Sequence, residues 1–320
     1  MKTWKTCRWI GLTAVVLCSF ASDVRAQSGS ETLSDFGYLG QGNAAVNGSQ
    51  AVMNNSCVPT ATANGLSYLE NYFNFSLDLP SPFTTSPNNY AAVNSLQGLM
   101  GTTALGTTVN GLFNGLQSYL MPGGANPAPT VSISGQYSST TPGGWFSGGI
   151  NGGLNVAQAS PTASFLANAL NANDGVEVGI QWGAYSGNTF TASGGGHMLT
   201  LYSINLGVSG SGTIGFIDPW GTGTGNNAGT SATVVNATVQ LVNGFLYVTY
   251  PIDFTGPDPA DTTGTDGTTQ LGHNGETGRI LVDAVEAAAV PEATTTIAGA
   301  LLLLPLGVST LRILRKKRMA

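Results

Sequence analysis

The chain has 320 residues and a formal net charge of −6, but its charges are unevenly distributed. Between Gln27 and Val290 there are 14 acidic residues and one basic residue, Arg279, so this segment carries a net charge of −13. Nucleic-acid binding needs Lys and Arg to neutralise phosphates, and nucleic acid is therefore not expected as a partner.

The first 26 residues have the pattern of a secretory signal peptide. A basic start precedes the apolar run from Trp9 to Ala21, and Val24-Arg25-Ala26 follows as a cleavage site. We therefore predict cleavage after Ala26 and export of the mature chain. Cys7 and Cys18 leave with this peptide, so Cys57 is the only cysteine of the mature chain.

Cys57 lies where a loop is predicted to turn into a helix. Ser56 is a suitable N-cap, Pro59 fits a first helical turn, and the apolar spacing predicts a helix over Cys57–Phe73. Unpaired N–H groups and the positive end of the helix dipole would stabilise a thiolate there. We interpret Cys57 as a reactive thiol, and the alternative is a small buried hydrophobic residue.

The remaining elements predict helices first and strands afterwards. Residues 27–50 are interpreted as a loop. The spacing of apolar residues predicts further helices over Tyr90–Met100, Thr107–Leu120 and Thr162–Ala172. Alternation predicts strands over Thr130–Tyr137, Val176–Trp182, Gly196–Ile204, Gly212–Asp218, Ala232–Val242 and Gly244–Tyr250, with a hairpin turn at Asn243-Gly244. This order is typical of an α+β fold.

The segment after these strands is predicted to be a spacer, over residues 255–290. It is rich in Asp, Thr and Gly up to Gly278, and Arg279–Val285 either adds an edge strand or begins the spacer.

The C-terminus, over residues 291–320, carries a second targeting pattern. Val290-Pro291-Glu292-Ala293 precedes the apolar run Ile297–Val308, and a basic cluster follows that would stay cytoplasmic. Together these features resemble the PEP-CTERM sorting signal of Gram-negative bacteria, although Ala293 replaces the second Pro of the usual Pro-Glu-Pro. The resemblance implies an exosortase as partner, anchoring in the inner membrane by a transmembrane helix, and then a location at the cell surface or in the extracellular matrix. An ordinary membrane anchor is the alternative.

Three further residues have the chemistry that a thiolate nucleophile needs. His197 begins a predicted strand and Asp218 ends the next one, so a hairpin of the two strands would bring the imidazole and the carboxylate together. His273 lies in the low-complexity segment and is a poor candidate. Gln50, seven residues before Cys57, is within reach to donate an amide N–H to an oxyanion.

These residues carry a family resemblance. Gln50, Ser-Cys-Val-Pro-Thr-Ala at 56–61, Gly-His-Met-Leu at 196–199 and Ile-Asp-Pro-Trp-Gly at 217–221 resemble the papain-like cysteine peptidases, in particular the bacteriocin-processing peptidases. The resemblance implies a papain-like α+β domain over 27–254, with N-terminal helices packed on an antiparallel sheet. It implies that Cys57 is the nucleophile, His197 the base, Asp218 the orienting group and Gln50 the oxyanion donor, with no metal or cofactor.

The sequence departs from the family at two points. Val58 stands where the family has Gly, and the spacing from Gln50 to Cys57 is about one residue long. Asn54 and Asn55 are therefore substitutes for Gln50 as oxyanion donor. We predict an exported cysteine peptidase or acyl transferase that acts on a peptide or protein substrate. The alternative is a non-catalytic cell-surface or matrix protein that retains a papain-like fold.

Overall fold

The structure is a computed structural model that describes residues 26–73, 90–120, 131–141, 145, 148–186, 189–221, 228–249 and 277–288. These residues do not include the predicted sorting signal, His273, nearly all of the predicted signal peptide or most of the predicted spacer. None of the helices in the described ranges is both long enough and apolar enough to cross a bilayer.

Helices occupy mainly the first part of the described chain. They are α1 Gln50–Asn54, α2 Cys57–Phe73, α3 Ala91–Leu99, α4 Val109–Leu120 and α5 Ala163–Asn171. The predicted helix Cys57–Phe73 is confirmed at both ends, and the three other predicted helices are confirmed to within two residues of each end. Helix α1 was not predicted, since its residues were assigned to a loop and to the turn before Cys57.

Strands make up most of the remainder. They are β1 Gln27–Ser30, β2 Val131–Tyr137, β3 Asn155–Ala157, β4 Gly175–Ser186, β5 Thr189–Leu206, β6 Ser211–Asp218, β7 Thr233–Val242, β8 Phe245–Thr249 and β9 Thr277–Ala288. The predicted hairpin turn is confirmed, because Val242 pairs with Phe245. Asn243 and Gly244 have φ angles of 52° and 83°, as a two-residue hairpin loop requires.

Six antiparallel strands close into a barrel. From β4 to β9 each strand pairs with the next one along the chain, and β9 also pairs with β4, which closes the sheet. Val176 of β4 lies opposite Val285, and Tyr247 of β8 lies opposite Arg279. Strand β1 extends the sheet beside β5, and β2 and β3 extend it beside β9.

The predicted papain-like α+β fold, with helices packed on an antiparallel sheet, is wrong. The described chain is mostly β, and its sheet is closed rather than open. The strand that closes it, β9, lies within the predicted spacer, so the barrel extends beyond the predicted domain end at residue 254. Both edges of β9 are paired, which makes it a central strand and not an edge strand. Pairing between such distant segments is not encoded in local alternation.

Two apolar clusters lie on the two sides of this sheet. The first cluster contains apolar side chains from all six barrel strands, among them Val178, Leu199 and Phe216, together with apolar side chains of α5. The other packs α2, α3 and α4 against the opposite face of β5 and β9, at Met198 and Val282. Helix α2 is thus clamped between the other helices and the barrel, which holds its first residue in a defined place.

Close packing of α4 on α3 gives a testable contrast between two helical glycines. A Cβ at Gly115 would lie 2.9 Å from the backbone N and Cα of Met100, whereas a Cβ at Gly98 would have no atom within 4 Å. We expect Gly115→Ala to lower the free energy of unfolding by about 1–3 kcal/mol through overpacking. Gly98→Ala should raise it by up to about 1 kcal/mol through helix propensity. Urea unfolding of the two variants tests this, and equal effects would contradict the packing described.

Candidate active site

The N-terminus of α2 is fixed by a network of polar side chains. The Ser56 hydroxyl donates to Val52 O at 2.7 Å and accepts from Gln97 Nε2 at 2.9 Å. The Thr60 hydroxyl donates to Ser56 O at 2.7 Å. Cys57, a free and half-buried thiol, is the first residue of the helix. Gln97, on α3, was not predicted to take part, because its contact with residue 56 is purely tertiary.

Strands β5 and β6 bring His197 and Asp218 together, as the predicted hairpin required. The strand pairing places Thr200 of β5 opposite Ile217 of β6. Three residues before Thr200, His197 reaches the end of β6, and its Nε2 lies 2.7 Å from Asp218 Oδ1. The two residues are 5% and 1% exposed. The same Oδ1 accepts the backbone N–H of Trp220 at 2.8 Å, which orients the carboxylate.

The environment of His197 favours the charged imidazolium. Burial lowers the pKa of His197, but the charge and hydrogen bond of Asp218, together with a hydrogen bond to the Cys57 side chain, outweigh burial and raise the pKa to about 10. Since Nε2 bonds to Asp218, the other ring nitrogen is the one left for the thiol. At neutral pH a positive charge therefore lies beside Cys57.

Cys57 and His197 open onto a cleft of about 300 Å³. Its floor contains Gly179, Gly195 and Gly196, and Gly195 adopts a φ of +67°, which favours glycine. A side chain at Gly196 would collide with the ring of Trp145. Its apolar walls are Val58, Leu105, Val109, Leu112, Trp145, Met198 and Val282. Among the described residues, no Asp, Glu, Lys or Arg side chain lines the cleft.

Several of these wall residues were not predicted. Val282 lies on β9, which was assigned to the spacer, and only closure of the barrel brings it here. Trp145 lies in a glycine-rich loop, where an aromatic side chain among glycines was a signal that could have identified it. Leu105 was passed over as a residue between two predicted helices.

The predicted role of Gln50 as oxyanion donor does not agree with the geometry. Gln50 is exposed at the start of α1, and its Nε2 donates to Asn54 Oδ1 at 2.9 Å. Neither residue lines the cleft. Asn55 does, but its amide nitrogen donates to Ala51 O and Ala104 O. Residues 50–54 form the unpredicted helix α1, and in this helix the Gln50 side chain bonds to Asn54 instead of reaching the cleft.

A backbone N–H group is another candidate donor for an oxyanion. The first N–H groups of a helix have no intrahelical acceptor. The backbone N–H of Cys57 is therefore suited to donate to the oxyanion that forms when the Cys57 thiolate attacks a carbonyl. With the imidazolium beside the sulfur, the arrangement can generate a nucleophile, stabilise the oxyanion and protonate a leaving group. Among the described residues, no three His, Cys, Asp or Glu side chains converge on a metal-sized site.

Comparisons of the chain with models of protein families and with curated proteins find no match.

Proposed function

We propose that the chain is an exported cysteine peptidase or acyl transferase that acts on peptide-type bonds through Cys57, His197 and Asp218. The observation that carries the proposal is the buried 2.7 Å contact between His197 Nε2 and Asp218 Oδ1, with the Cys57 thiol beside the same imidazole. A histidine buried for structural reasons alone does not need a free cysteine at a helix N-terminus beside it, nor an uncharged cleft in front of it.

The geometry supports a two-step reaction. The Cys57 thiolate attacks the carbonyl carbon, the C=O electron pair moves to oxygen, and the Cys57 N–H stabilises that oxyanion. When the C–N bond breaks, the imidazolium of His197 gives its proton to the departing amine. Neutral His197 then removes a proton from water or from a second amine, which attacks the thioester. The C–S bond breaks, the thiolate is regenerated, and the product is a carboxylic acid or a new amide.

We also propose export and membrane sorting of the chain. The supporting features are the signal-peptide pattern of residues 1–26 and the apolar and basic C-terminal pattern of residues 291–320. On this proposal the substrate is a peptide or protein outside the cell. An exosortase acts at the sorting signal while the chain is held in the inner membrane.

The proposal predicts fast alkylation of Cys57 by iodoacetamide at acidic pH. A simple thiol is less than about 1% ionised at pH 6, whereas an imidazolium in contact with a sulfur stabilises negative charge on it. We expect Cys57 to react on the order of tenfold faster than glutathione at pH 6. His197→Ala should remove this advantage, and mass spectrometry of the labelled chain measures it.

Two controls accompany this experiment. His273→Ala removes the other histidine of the mature chain and should leave the profile unchanged. His197→Ala/Asp218→Asn also removes the carboxylate charge that His197→Ala leaves buried, and circular dichroism checks that both variants fold. Labelling of wild-type Cys57 that rises only near pH 8.5, the pKa of an ordinary thiol, would sink the catalytic proposal and leave a non-catalytic surface protein.

A further inference from the structure

A hydrogen-bonded hairpin with a two-residue loop, residues 102–107, lies at the mouth of the cleft. Thr103 and Gly106 exchange both backbone N–H···O hydrogen bonds, at 3.1 and 3.0 Å, with Ala104 and Leu105 at the apex. The hydroxyls of Thr102 and Thr107 lie 2.6 Å apart. We call this segment the Leu105 turn. Its leucine side chain is 97% exposed and also lines the cleft.

The Leu105 turn is hydrogen-bonded to the segment just before Cys57. The Asn55 side chain donates to Ala104 O at 3.0 Å and to Ala51 O at 2.9 Å, and Asn55 lies two residues before Cys57. On its other side the turn runs directly into α4, whose first residues form one wall of the cleft. The position of Leu105 is therefore set relative to Cys57.

An exposed leucine in so constrained a turn has a specific physical consequence. Water solvates it poorly, and covering it with another apolar group is favourable. The cleft is also lined by Trp145, Met198 and Val282, which offer a second apolar surface. A charged group placed between these surfaces would lose its hydration, and the cleft side chains offer it no opposite charge outside the Cys57–His197 pair.

We propose that Leu105 is a specificity-determining residue, and that it binds a large apolar side chain of an uncharged, extended peptide segment. This inference rests on the proposed function, because it assigns the substrate class of that same site. The glycine floor admits the peptide backbone close to Cys57, and the leucine contacts the side chain that points towards the cleft mouth. The chain is strongly acidic overall, yet its cleft walls are uncharged, which matches a neutral peptide.

Binding of capped peptides to the full chain tests the proposal. The probes are uncharged Gly/Ser hexapeptides with one Leu, scanned through all positions, and their affinity is measured on Cys57→Ala so that no turnover occurs. We expect one Leu position to bind best, and Leu105→Ala in this background to weaken that peptide by about tenfold. The corresponding all-Gly/Ser peptide should be affected by less than about twofold.

Val208→Ala is the matched control. Val208 is 69% exposed in the turn between β5 and β6 and does not line the cleft, so the affinities should stay unchanged. The proposal is overturned if no Leu peptide binds up to millimolar concentration, or if Leu105→Ala weakens every peptide equally. If Cys57 is alkylated like an ordinary thiol but peptide binding still depends on Leu105, the proposed catalytic function is refuted and the proposed binding site is retained.

Discussion

Asp218→Asn is expected to lower the pKa of His197 from about 10 to below the ordinary histidine value of 6.5. Burial by itself lowers the pKa of this imidazole, and the carboxylate of Asp218 makes the largest contribution that raises it. Asparagine keeps the size of the side chain but removes the charge, so burial is opposed only by the contact with Cys57. The titration of the imidazole resonances by NMR measures this, and a His273→Ala variant identifies the signal of His197.

The same substitution should change the chemistry at Cys57. With a neutral imidazole at pH 7, the thiolate loses its positive neighbour, and alkylation at pH 7 should fall by at least about tenfold. Asp174→Asn serves as the control, since it removes a carboxyl outside the cleft. A His197 pKa that stays near 10 in Asp218→Asn would contradict the electrostatic account of the site.

The free energy of unfolding is expected to fall as pH rises from about 5 to 8. The cause is a pair of carboxyl groups, Glu177 on β4 and Glu286 on β9, both 0% exposed. They lie on the sheet face beneath α2, where a side chain at Gly65 would collide with the Glu177 carboxyl. Burial and the charge of Glu286 raise the pKa of Glu177 well above 4.5, and burial raises that of Glu286 to about 7.

The sign follows from proton binding in the two states. In the unfolded chain both carboxyls ionise near 4.5, whereas the folded protein keeps them protonated to higher pH. Their contribution to stability is therefore complete below pH 4.5 and is lost as pH rises through 7. Burial also raises the pKa of Glu31 to about 8 and that of Asp174 to about 6, which adds to the same trend.

Urea midpoints at pH 5 and pH 8 measure this effect. Glu177→Gln and Glu286→Gln should each reduce the difference between the two midpoints, because a neutral amide replaces a group that must stay protonated. Val208→Ala, which removes no titratable group from an exposed turn, should leave the difference unchanged. His197, whose raised pKa is near 10, adds a further loss of stability only above pH 6.5. Midpoints that are constant or that rise with pH would refute the account.

Local sequence patterns identified most elements and part of the site. The limits of α2, the Asn243-Gly244 turn and the β5–β6 hairpin depend on short-range periodicity and on turn chemistry, and these were predicted. The contact between His197 and Asp218 followed directly from that hairpin. The position of the Gln50 side chain could not be predicted in this way. Whether residues 50–54 form a helix depends on their packing and not on five residues of sequence.

The sequence by itself determined the chemical inventory: one cysteine outside the predicted signal peptide, placed at a helix start, and a histidine and an aspartate at adjoining strand ends. Tertiary structure alone decided that the sheet closes through β9, because this pairing joins β4 and β8 to a segment that resembles a spacer. Closure brought Val282 to the cleft and set Glu177 beside Glu286. The pairing of Gly179 with Val282 and the contact of Glu177 with Glu286 join residues more than 100 positions apart, and local sequence carries no signal for a pairing whose energy comes from burial in the assembled barrel.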